Sequence, residues 1–256
     1  MTALLEARAL SAAIGGRRVV DGLDLRLELG ERLAILGRNG AGKTTLLHTL
    51  AGLRAPAAGT LTLAGRPIEA LGVRQAAQLR GLLTQQRFDA FPASVLETAL
   101  VGRHPHLGRW QWESPIDERI AREALAALGL TPLAERDVRT LSGGERQRLA
   151  IAALLAQQPR LCLLDEPLAH LDLNHQMAVL ELFSRLVHDG AIATVIVLHD
   201  VNLALRYADR VLLLSGDGSW HQGAAADTLT AEVLTELYGH PLRELRSADQ
   251  RCFLPQ

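Results

Sequence analysis

Leu23, Leu25, Leu27 and Leu29 alternate with Asp24, Arg26 and Glu28, the period of a strand with one buried face and one wet face. Arg32 to Leu36 then forms a nearly unbroken apolar run, which suits a strand covered on both faces. Gly37 to Gly42 turns the chain into a helix predicted from about Lys43 to Leu53. Roughly between residues 86 and 158 the pattern becomes helical. Ser94-Val95-Leu96-Glu97 and Ser114-Pro115-Ile116-Asp117 have capping-box spacing, and Pro115 occupies the first helical position of the second. That helix runs through Ala121, Ala124, Leu125 and Leu128 and stops at Gly129. After Pro159 the α/β alternation returns, with apolar strands at Leu161–Leu164, Thr194–Leu198 and Val211–Leu214, a helix between the first two, and a turn at Gly216–Gly218. The expected organisation is a single domain with a core of about 1–85 and 159–220, a helical insert of about 86–158 and a short extension of about 221–256.

Composition narrows the function. The 256 residues are 48% apolar and 21% charged, ordinary for a globular protein. A net charge of -1 leaves no basic surplus for non-specific nucleic-acid binding. Two cysteines, Cys162 and Cys252, make no disulfide framework, and Cys162 reads as a small core residue within an apolar strand. No signal peptide is expected, and no window approaches the ~18–20 apolar residues that span a bilayer. The expectation is a cytosolic chain whose link to a membrane runs through a partner protein.

Three motifs carry chemistry. Gly37-Arg38-Asn39-Gly40-Ala41-Gly42-Lys43-Thr44 lies between strand and helix, the context a phosphate loop requires. Its glycines let the backbone N–H groups of Asn39 to Thr45 turn inward at the positive end of the helix. Lys43 would bridge the β- and γ-phosphates, and the Thr44 hydroxyl would ligate Mg²⁺. Asp165-Glu166 ends a buried strand at its C-terminal edge, where open α/β sheets bind ligands. Asp165 would hold Mg²⁺ through water and Glu166 would act as general base; a pair of helix-capping acids is the alternative. Ser142-Gly143-Gly144-Glu145 has the spacing of a capping box and predicts a helix extending to Gln158, whose exposed amides can also cap an anion.

Leu141-Ser142-Gly143-Gly144-Glu145, with the phosphate loop upstream and Leu161-Cys162-Leu163-Leu164-Asp165-Glu166 downstream, resembles the ATP-binding cassette (ABC) family, the ATPases that drive membrane transporters. The resemblance implies an α/β fold: a P-loop NTPase (RecA-like) core, an N-terminal antiparallel β subdomain and an inserted α-helical subdomain. It also implies a homodimer with two ATP molecules at its interface, where Ser142, Gly143, Gly144 and Glu145 of one copy close on the γ-phosphate held by the other. Gln85 falls where the family has a glutamine that touches Mg²⁺ and senses the transmembrane partner; Gln86 is the adjacent alternative. His199 matches the family's switch histidine at the γ-phosphate, and Leu171-Asp172 the loop that crosses the dimer interface. One departure stands out. Many members stack adenine on an aromatic residue before the first hairpin's Gly-Gly, whereas Ala13-Ile14-Gly15-Gly16 offers no ring and leaves Ile14 or Val19 to supply apolar contact.

Gly102-Arg103-His104-Pro105-His106, Leu168-Ala169-His170-Leu171-Asp172-Leu173 and His199-Asp200-Val201-Asn202-Leu203-Ala204 are similar to the ATPase subunits of bacterial importers for ferric siderophores, haem and vitamin B12. The run from His104 through Trp110 is most similar to the cobalamin branch. Two transmembrane permease subunits, a periplasmic substrate-binding protein and a peripheral position on the cytoplasmic face of the bacterial inner membrane follow from that resemblance. His104 and His106, split by proline, make poor tetrahedral metal geometry. Trp110 and Trp112 read either as permease contacts or as partly buried core aromatics. The tail from Trp220 resembles the family's short C-terminal extension. The rival is a soluble cassette ATPase acting on nucleic acid or ribosomes, whose members usually carry two cassettes or long inserts.

Overall fold

The computed structural model describes residues 3–84, 92–247 and 251–256. Strands β1 (Leu5–Ile14) and β2 (Arg17–Leu27) form an antiparallel hairpin. Strand β3 (Arg32–Gly37) leaves for a second sheet, and β4 (Ala58–Leu63) with the short β5 (Arg66–Pro67) returns to the first. That sheet is antiparallel, in the order β2-β1-β4-β5. On β2, Leu23, Leu25 and Leu27 are buried while Asp24 and Arg26 are exposed, as the alternation predicts; Leu29 lies beyond the strand.

The second sheet adds β6 (Arg80–Leu83), β7 (Leu161–Asp165), β8 (Ala193–Val197), β9 (Arg210–Leu214) and β10 (Trp220–Ala224) to β3. Its order is β10-β9-β3-β8-β7-β6, parallel throughout except for β10 against β9. Alternate residues of β3, β7 and β8 enter two cores. Leu33 and Ile35 join Leu161, Leu163, Val195 and Val197 beneath α1 (Lys43–Leu50) and the antiparallel sheet. Ala34 and Leu36 face the other way, with Cys162, Leu164 and Ile196, towards the remaining helices. Burial of Cys162 pushes its thiol up to about 12, which suits an inert core residue.

Helix α1 stops short of Leu53 because Gly52 adopts φ 66, a left-handed termination. Helix α2 is Val73–Leu79, and α3 (Val95–Leu100), α4 (Pro115–Ala127) and α5 (Gly143–Ala156) each begin with both hydrogen bonds of a capping box. Helix α5 ends before Gln158, which takes φ 53 ahead of Pro159; the proline disfavours a helical residue before it. Helices α6 (Leu173–His188) and α7 (Val201–Tyr207) flank β8. The tail is more structured than its sequence suggests. After β10 come α8 (Ala225–Thr228), α9 (Ala231–Tyr238) and the hairpin of β11 (Leu242–Arg246) and β12 (Arg251–Pro255). Asn202 Nδ2 donates to the Phe253 carbonyl at 3.1 Å and its Oδ1 accepts from the Phe253 N–H at 2.7 Å, so a side-chain amide tethers this hairpin to α7. Trp110 and Trp112 are 88% and 86% exposed, which rules out the core-aromatic reading. Among the described residues no helix is long and apolar enough to cross a membrane.

Candidate functional site

Strands β3, β8 and β7 are neighbours, so the loops leaving their C-terminal ends converge on one edge, as in other open α/β sheets. A cavity of about 480 Å³ sits there, lined by Ile14, Asn39, Gly40, Gly42, Lys43, Thr44, Thr45, Glu166 and His199. The phosphate loop, both candidate catalytic residues and the first hairpin thus meet in one place. Gly42 adopts φ 97, and a Cβ there would fall 2.3 Å from Val19 Cβ, so the loop's approach to β2 demands glycine. Val19 is spent on that contact and is buried. Of the two apolar candidates for the adenine, only Ile14 faces the cleft.

Lys43 is 6% exposed, and its Nζ donates to the carbonyls of Gly37 at 2.8 Å and Arg38 at 3.2 Å. Burial draws its pKa down, against the opposing pull of Glu166 and Asp165. The ammonium is therefore held at the floor of the loop by neutral acceptors. Arg38 departs from the loop's common purpose: it lines a different cavity, with Asp217, Trp220 and Glu236.

Asp165 is 1% exposed, and neither carboxylate oxygen has a hydrogen-bond partner. Burial raises its pKa most. The nearby Thr44 hydroxyl favours the ionised form without meeting the geometry of a hydrogen bond to it, Glu166 opposes ionisation, and His48 and Lys43 assist it. Buried carboxylate oxygens are ordinarily satisfied. Two hard oxygen donors beside a phosphate loop, one of them orphaned, suit a Mg²⁺ ion; the residues fit the ion that the sequence implies.

Glu166 immediately follows β7 and adopts φ 49, a left-handed conformation that costs a non-glycine residue about 1 kcal/mol or more. The strained turn aims its carboxylate back across the sheet edge. His199, two residues beyond β8, places Nε2 2.7 Å from Glu166 Oε1.

Ser142, Gly143, Gly144 and Glu145 lie elsewhere. Ser142 Oγ accepts from the Glu145 N–H at 3.2 Å, and Glu145 Oε2 accepts from the Ser142 N–H at 2.7 Å, a bond that also holds the Glu145 carboxyl below the usual range. These residues line a separate cleft of about 490 Å³ with Arg148, His170, Leu171, Asp172 and His175. The two clefts share no lining residue. Sequence reasoning missed Arg148, although its position three residues after Glu145 puts it one helical turn along the same face. Gln85 and Gln86 lie outside the described residues.

The sequence profile of ABC transporters matches residues 20–169, more than half of the chain. The chain belongs to the ABC transporter family. The hemin import ATP-binding protein HmuV of Burkholderia pseudomallei (strain 1710b) is 40% identical over 263 aligned positions, covering 96% of this chain and 97% of that protein. A solved structure described as an inward-facing conformation of a metal-chelate type ABC transporter superposes with a TM-score of 0.87 at 32% identity, covering 100% of this chain and 98% of that one. The protein cbiO1 of Clostridium perfringens, part of the ABC transporter complex cbiONQ, gives 0.76 at 26% identity over 91% and 93% of the two chains. As an ABC transporter ATPase, the chain has the P-loop NTPase fold with its antiparallel β subdomain and helical part, and its enzymatic activity is ATP hydrolysis in the service of transport.

Proposed function

We propose that the chain is the ATP-hydrolysing subunit of a bacterial importer for hemin or a related metal chelate, acting as a homodimer. One observation carries the dimer: the helix start at Ser142-Gly143-Gly144 has the makings of an anion site, yet its cleft is separate from the phosphate loop of its own chain. A second copy reconciles the two, with each ATP held between the phosphate loop of one protomer and the Ser142–Glu145 segment of the other. Lys43 and the amides of Asn39 to Thr45 hold the phosphates. Thr44 and Asp165, with Gln85, hold Mg²⁺, which when bound neutralises charge on the phosphate oxygens. Glu166 takes a proton from the attacking water, His199 orients Glu166 and contacts the γ-phosphate, and ADP and phosphate leave as the dimer reopens.

In this reading the helical insert of about 86–158 faces two permease chains, with the nucleotide core at about 1–85 and 159–220. The protein sits peripherally on the cytoplasmic face of the inner membrane, and cargo arrives from a periplasmic binding protein. Relatives named for hemin import support hemin over cobalamin as the cargo in this reading. No observation favours the nucleic-acid reading, and the net charge of -1 counts against it.

The test is uptake of labelled hemin and labelled cobalamin in cells with and without the chain. Loss of hemin uptake, restored by wild type and not by Glu166→Gln, supports the reading. Loss of cobalamin uptake alone would overturn the cargo. Normal uptake of both, and of ferric siderophores, would overturn the importer role.

A further inference from the structure

Gly102-Arg103-His104-Pro105-His106 forms a tight turn at Val101–His106 between α3 and α4, and nothing in ATP binding uses it. Its contacts nevertheless converge on one place, the C-terminal end of α5. A Cβ on Gly102 would fall 2.1 Å from the Ala153 carbonyl oxygen, so only glycine lets the turn lie this close to the helix. Arg103 is buried. Its Nη1 donates to the Ala156 carbonyl at 2.8 Å and to Gln158 Oε1 at 2.9 Å, and its Nε donates to Asp117 Oδ1 at 2.9 Å. His106 Nε2 lies 2.8 Å from the Gln157 carbonyl. The Pro105 carbonyl accepts from Arg74 Nε and Gln78 Nε2 of α2, both at 2.8 Å. Gln157 Nε2 in turn donates to the carbonyls of Ala77 and Arg80. The turn thus binds the last carbonyls of α5 to the start of α4 and to α2.

We propose that this turn is a mechanical joint, and that Arg103 and His106 are positioning residues which make the exposed Trp110–Trp112 segment and α5 move as one body. The inference rests on the dimeric reading above, because it gives the joint its use. Helix α5 is a rod of 14 residues, roughly 20 Å long, with Ser142-Gly143-Gly144 at its far end. Two aromatic side chains exposed a few residues beyond the joint are typical anchors for a protein partner. Displacement of either end is therefore delivered to the other: closure on ATP at Ser142 shifts the partner-facing segment, and partner contact at Trp110 and Trp112 shifts Ser142. A turn that merely filled space would need neither the paired charges nor three separate contacts to the same helix end.

The test is hydrogen exchange on the full chain carrying Glu166→Gln, with and without Mg-ATP. The expected result is ATP-dependent protection at 143–148 together with an ATP-dependent change at 101–107. Adding Arg103→Ala should leave the first response and abolish the second. Because Arg103 is buried and its loss endangers folding, His106→Ala, which removes a single hydrogen bond, carries the same expectation, and thermal unfolding confirms which variants are folded. No response at 101–107 in the parent protein, or an undiminished one in a folded variant, overturns the joint. Absence of protection at 143–148 in the parent instead overturns the dimer reading itself.

Discussion

Across the mouth of the phosphate-loop cleft, His199 Nε2 sits 2.7 Å from Glu166 Oε1. The two side chains come from the ends of adjacent strands β8 and β7, and Glu166 is presented from a left-handed backbone. In its proposed role as general base, Glu166 is oriented before substrate arrives. Glu166→Gln is expected to lower kcat by about 10²- to 10⁴-fold while ATP binding persists. His199→Ala should lower kcat too, and the double variant should be no worse than the more damaging single, since the pair acts as a unit. Steady-state kinetics on the three variants check this; additive losses would show that the two act separately.

Asp165 places an orphaned carboxylate in the interior, so the nucleotide-free fold bears a penalty that Mg²⁺ in the proposed site would relieve. Asp165→Asn should raise the melting temperature of the nucleotide-free protein by about 2–4 °C, corresponding to ~1 kcal/mol. The same variant should lose Mg²⁺-dependent hydrolysis. Calorimetry without nucleotide decides it: a lower melting temperature would mean that Asp165 is satisfied within the fold.

The mouth of the cleft carries Ile14, 47% exposed, where a ring would stack on the base. Ile14→Tyr is expected to tighten ATP binding by about fivefold or more, because base stacking on an aromatic is worth about 1–3 kcal/mol. Titration calorimetry on wild type and variant reads this directly, and an unchanged Kd would place the adenine elsewhere.

Acid should loosen the start of α4. The hydroxyl and amide of Ser114, and then Arg103, hold the Asp117 carboxyl at about 2, against 3.8 when free. The unfolded chain therefore takes up this proton first as pH falls. The stabilisation is complete above about pH 4 and disappears between about pH 4 and 2. It is on the order of 2 kcal/mol. Asp117→Asn should unfold at lower urea than wild type at pH 7, and the gap should close as pH approaches 2. A gap independent of pH would assign the loss to packing rather than charge.

What the sequence reveals about this protein is what is encoded locally. The caps at Ser94, Ser114 and Ser142 are legible because donor and acceptor lie three residues apart, and the phosphate loop because its context is the strand and helix on either side. The long-range facts are not. Arg103 meets Ala156 and Gln158 more than fifty residues away, and the Phe253 backbone pairs with Asn202 across a similar gap; neither leaves a periodic trace. The exposure of Trp110 and Trp112 and the choice between Ile14 and Val19 depend on which surface the fold covers, which residue type alone does not decide. Two helices end earlier than their sequence pattern predicts, where Gly52 and Gln158 turn left-handed.

The separation of the phosphate-loop cleft from the Ser142 cleft also has a genetic meaning. If each ATP is shared between copies, a chain with a ruined phosphate loop still lends a sound Ser142 segment to its neighbour. Lys43→Ala and Ser142→Arg, each inactive alone, then complement one another. A mixed pair contains one ATP site with both halves intact and one with both halves broken. Two dead alleles in one cell would restore part of the transport, and a single dead allele beside wild type would leave a broken site in a larger share of the dimers than its own share of the chains.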